Sequence, residues 1–62
     1  MKLFLVEGYN DNDDSSLVYV VAHDEVEAEK KGHKYFNHDI YPYVWADPIE
    51  EVDGYRIVVV EK

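Results

Sequence analysis

Fourteen of the 62 residues are Asp or Glu, and carboxylates are the most abundant reactive groups in the chain. Two carboxylates do acid–base work when one cleft holds them with opposed pKa demands. Nothing in the spacing of these fourteen singles out such a pair. The run "DNDD" (11–14) invites calcium. On the EF-hand template started at Asp11, Asp13 takes the third position, but Ser16 stands where glycine is needed and Ala22 where the bidentate glutamate belongs, so the template fails. His23, His33 and His38 form no i,i+4 pair and match no zinc spacing. His23 is expected against the first turn of a helix, and His33 beside Glu29. No nucleophile elbow is present, three glycines are too few for a phosphate-cradling loop, and Ser15 and Ser16 belong to a loop. The expectation is a protein that is not an enzyme and uses no metal or cofactor.

The charge points elsewhere. Six Lys and Arg leave a net charge of −8, which repels phosphate backbones and disfavours direct nucleic-acid binding. Solubility explains an acidic surface; a partner protein with a basic surface explains it more sharply. The absence of cysteine excludes disulfides and thiolate zinc sites. The start "MKLFLVEGYN" has too short an apolar run for a signal peptide or a membrane span, so the expected place is the cytoplasm and no membrane is involved. Six Tyr, two Phe and one Trp set the chain apart from disordered acidic tails and predict a folded domain over 1–62.

Positioning these groups requires elements. "KLFLVE" (2–7) and "LVYVVA" (17–22) read as strands joined by the turn-rich loop 8–16. "DEVEAEKKGHKYF" (24–36) reads as a helix. Asp24 caps it, acids fill the first turns and bases the later ones, and Glu27 and Lys31 form an i,i+4 pair. Ala28, Gly32, Tyr35 and Phe36 share its inner face. Gly32 there implies a close backbone approach to the sheet; its other reading is the C-cap of a shorter helix. "YVWADPIEEV" (43–52) reads as a strand broken or bulged at Pro48, which belongs at a sheet edge. "DG" (53–54) predicts a type I′ hairpin that pairs Glu51 with Arg56 and Ile49 with Val58. The last strand is "YRIVVV" (55–60).

The expected architecture is α+β, in the order β-β-α-β-β. The first and last strands are apolar on both faces, which places them centrally in a four-stranded mixed sheet of order 3-4-1-2, with one helix packed on one face. Two surfaces then become candidate contact sites. The helix start and the hairpin turn share one end, gathering Asp24, Glu25 and Glu27 near Glu50, Glu51 and Asp53 in a one-sign acidic rim. The other is the second sheet face, apolar where a solvated face would be polar. Tyr19, Tyr43, Trp45 and Tyr55 lie on or beside strands and suit an interface. An open apolar face of this kind is covered by a partner or by a second copy in a homodimer.

The strand ending "VYVVA", the helix opening "HDEVEAEKKG" and the tight "DG" hairpin resemble small acidic phage and prophage proteins. In size, charge and layout the chain is similar to anti-CRISPR and anti-restriction inhibitors. That resemblance implies an inhibitor that mimics DNA and occupies the nucleic-acid-binding surface of its target. It covers architecture only and assigns no functional residue.

Overall fold

A computed structural model describes residues 1–60; Glu61 and Lys62, the end of the expected 1–62 domain, lie outside the described residues. The chain forms β1 (Lys2–Tyr9), β2 (Ser15–Ala22), α1 (Glu25–Tyr35), β3 (Tyr43–Pro48), β4 (Glu51–Val52) and β5 (Tyr55–Arg56). The class is α+β, with one helix among the described residues. The sheet differs from the expected one. A three-stranded sheet has the order β2-β1-β3, and β4 and β5 make a separate two-stranded ladder.

Every pairing among the described residues is antiparallel, so the expected parallel central pair is absent from them. β1 is central as expected, but its second neighbour is β3, through Phe4↔Pro48 to Tyr9↔Tyr43. Pro48 does sit on an edge strand. The hairpin at 53–54 also forms: Asp53 and Gly54 both take positive φ, 56° and 83°, as a type I′ turn requires, and Glu51 opposes Arg56. Its ladder stops early. Ile57 N–H donates to Glu50 O at 2.8 Å, and the expected Ile49–Val58 pair lies beyond the last bridge. Residues 57–60 are therefore not a strand.

Proline explains the stop. Ile49 N–H donates to Leu3 O, so odd-numbered residues at the end of β3 point their backbone toward β1. Even-numbered ones point outward, as Glu50 O does toward Ile57. The next outward residue is Pro48. It has no N–H to offer, so the zipper loses its donor one step after it begins.

The helix is set by its cap. Asp24 accepts from Glu27 N–H at 2.8 Å, and the cap is closed at the far end by Phe36 N–H to Gly32 O at 3.0 Å. The inner face presents Ala28, Gly32 and Phe36 to Phe4 and Val6 of β1 and Val20 and Ala22 of β2, which form the core. Gly32 is the close approach predicted for it: a Cβ there would lie 2.5 Å from Val6 Cγ1 and 3.0 Å from Val44 Cγ1. Tyr35, expected on this face, is 67% exposed instead and lines a cleft with Tyr19, Val20 and Val21 of β2. Ser15 and Ser16, expected in the loop, open β2, and Gly8 lies in β1 beneath the Phe36 ring.

Candidate contact surface

Alternation along the strands divides the sheet cleanly. Phe4, Val6, Val20 and Ala22 face the helix and are buried. The odd-numbered residues face the other way. Register arranges them in rows across β2, β1 and β3: Val21 beside Leu3, then Tyr19–Leu5–Asp47, Leu17–Glu7–Trp45 and Ser15–Tyr9–Tyr43. Leu17 and Tyr19 are 58% and 65% exposed, and Tyr9, Tyr43 and Trp45 are exposed as well. No described helix crosses this side. Val58 and Val60, beyond the hairpin, are 70% and 83% exposed.

This open face is ordered by its own polar contacts. Trp45 Nε1–H donates to Glu7 Oε1 at 2.6 Å across the two strands. Tyr9 and Tyr43 stack with ring centroids 5.3 Å apart. Tyr43 O–H donates to Asp11 Oδ2 at 3.4 Å. Asp11 is presented by a hairpin loop in which Asn10 Oδ1 accepts from the N–H groups of Asn12 and Asp14 at 2.9 and 3.1 Å. The "DNDD" run is thus a self-bonded turn. Asp47, Glu7 and Asp11 descend the β3–β1 side of the face as three carboxylates, and the rows just described contain no Lys or Arg. Lys30, Lys31 and Lys34 all lie on the helix.

Of the expected aromatic residues, Tyr19, Tyr43 and Trp45 share the open face. Tyr55 does not: it lies in β5, outside the three-stranded sheet. Tyr41 packs edge-on against Phe36 on the helix side, centroids 5.9 Å apart. The sequence singled out neither Glu7 nor Tyr9, whose roles depend on which strand lies beside β1.

The expected acidic rim shares one end of the molecule but is not of one sign. Ala22 at the end of β2 pairs with Lys2, and Pro48 at the end of β3 pairs with Phe4, so Asp24, Glu25 and Glu27 rise from the same end as Glu50, Glu51 and Asp53. Basic groups stand among them. Lys2 Nζ lies 3.9 Å from Glu50 Oε1, and Arg56 opposes Glu51. Glu27 is held by His23 Nδ1 at 3.0 Å and Lys31 Nζ at 3.4 Å. The hydrogen bond from His23, aided by Lys31, keeps the Glu27 carboxyl below its ordinary value despite some desolvation. β1 stands between the two acid groups, a gap of about 10 Å at two strand spacings. His33 lies near His38, ring centroids 6.2 Å apart, and not with Glu29 as expected.

Among the described residues no group of three or more His, Cys, Asp or Glu could hold a metal ion. No described helix is long and apolar enough to cross a membrane. No protein-family model, curated protein or solved structure matches the chain.

Proposed function

We propose that this protein is a non-catalytic interaction module that presents the open face of its sheet to a partner protein with a basic surface. One observation carries the reading: an exposed aromatic and aliphatic face that includes Glu7, Asp47 and Asp11 and no basic side chain in its rows. Tyr and Trp supply contact area at low entropic cost, and carboxylates select Lys and Arg. The partner's cations find Glu7 already oriented by Trp45. A second copy packed face to face would bring the Glu7 and Asp47 carboxylates of both copies into one desolvated layer, so this face favours a basic partner over itself.

Nucleic-acid mimicry is the specific form of this reading, and it suits the acidic inhibitors that the chain resembles. A DNA mimic needs carboxylates spread over a surface, because phosphates follow one another about every 3.4 Å along a DNA strand. Asp47 on β3, Glu7 one row further along on β1 and Asp11 in the loop beyond Tyr9 spread their charge over the face and do not gather it in a knot. The test uses a partner captured on the tagged protein and purified. Trp45→Ala and Glu7→Gln should each weaken its binding about tenfold, rising salt should weaken it steeply, and excess duplex DNA should displace it. Binding that ignores both substitutions sinks the reading of the face. Binding that needs them but ignores DNA sinks mimicry alone.

A further inference from the structure

Among the described residues the outer edge of β2 pairs with no strand, and its backbone directions can be assigned. Lys31 Nζ donates to Val21 O, so the Val21 carbonyl points away from β1. Leu3, its cross-strand partner, spends its carbonyl on Ile49 N–H on the opposite side. In an antiparallel ladder these directions alternate. Ser15, Leu17 and Tyr19 therefore also direct N–H and C=O outward, while Ser16, Val18 and Val20 bond to β1. Lys31 closes this edge at Val21. The turn at Asp13, with φ 64°, closes it at the other end. The open window is Ser15–Tyr19, and Leu17 is its centre.

That window is self-complementary. An antiparallel pairing of two copies about Leu17 sets Leu17 against Leu17 and Ser15 against Tyr19. The same register brings Asp13 and Asp14 of one copy to Val21 and Val20 of the other. There a cleft of about 430 Å³ is lined by Tyr19, Val20, Val21, Lys31, Lys34 and Tyr35. Acids of each copy meet lysines of the other, twice. β2 itself carries no charged residue, unlike the other four strands, so a chain of net charge −8 approaches its copy here without opposing like charges along the strand. β3's outer edge offers no equivalent, since Pro48 interrupts it.

We infer that two copies of this chain associate through their β2 edges into a continuous six-stranded sheet, with Leu17 on the two-fold axis and Asp13 and Asp14 facing Lys31 and Lys34 of the second copy. Both open faces then lie on one side, free for the partner proposed above. The contact is small, so association is reversible and depends on concentration.

Sedimentation of the full chain across the micromolar range should show a monomer–dimer equilibrium that weakens with salt. Hydrogen exchange separates this dimer from a face-to-face one. Leu17 and Tyr19 amides should gain protection as concentration rises, while Val18 and Val20 are protected throughout. Leu17→Lys, an exposed substitution that leaves the β1 ladder intact, should weaken the dimer about tenfold or more through like charges on the axis. Asp14→Lys should weaken it, and adding Lys34→Glu in the same chain should restore it. A chain that stays monomeric at every concentration overturns the inference. So does a dimer indifferent to Leu17→Lys, or one whose Leu17 and Tyr19 amides exchange freely.

Discussion

Gly32 shows how one missing methyl group sets the distance between two layers. Helix propensity argues for alanine there by about 1 kcal/mol. Packing argues the other way, because the added Cβ would stand 2.5 Å from Val6 Cγ1 on the central strand. Val6 is fully buried and held by strands on both sides, so it cannot yield. Overpacking of this kind costs about 1–3 kcal/mol, which outweighs the propensity gain. Gly32→Ala should lose about 1–2 kcal/mol in urea denaturation, a large share of the few kcal/mol a domain of this size holds. A more stable variant would mean that α1 does not lie this close to β1. The 3.6-residue period was enough to place Gly32 inward with Ala28 and Phe36. It misplaced Tyr35, which lies in a cleft with Tyr19 and Val20 of β2 and stays exposed. Trp45–Glu7 had no signature at all: their bond depends on two strands 38 residues apart becoming neighbours.

At the level of elements, whatever was set by neighbours along the chain could be read and whatever was set across it could not. The cap at Asp24, the Glu27–Lys31 pair and the 53–54 turn each need only four or five consecutive residues, and each formed. The start of α1 carries a pH dependence whose sign follows from Glu27. Its carboxyl is held below the ordinary 4.5, chiefly by the hydrogen bond from His23. A depressed carboxyl stabilises the fold fully above its unfolded value and loses that contribution as pH falls through the lowered folded one. Helix content and melting temperature should therefore decline as pH falls below about 4.5. Glu27→Gln should lower stability at neutral pH and flatten that acid limb, since the neutral amide keeps no charge pairing with Lys31. Superimposable pH profiles for the two proteins would remove Glu27 from the account.

At the scale of the whole molecule, the outcome turns on which strand neighbours β1. The apolar run at 55–60 suggested a central strand, yet both edges of β1 are taken by β2 and β3. Two-sided apolarity is a property of composition, and it records burial in any surroundings, not a place in a sheet. What keeps 57–60 off the sheet is the single missing donor at Pro48. Continuing the hairpin register opposes Pro48 to Val59, where an outward-facing amide would complete a bonded pair. Pro48→Val supplies that amide. It also frees the unfolded chain, at a cost of about 0.4–1 kcal/mol, which offsets much of the roughly 1 kcal/mol each new hydrogen bond contributes. Global stability should therefore move by less than about 1 kcal/mol, whereas exchange at the Val59 amide should slow at least tenfold and the new amide at position 48 should be protected as the last segment joins β3. Unchanged exchange at Val59 would show that something other than proline holds the segment away. The bonded outcome would turn a three-stranded sheet into a four-stranded one, with the last segment replacing β3 as the border opposite β2.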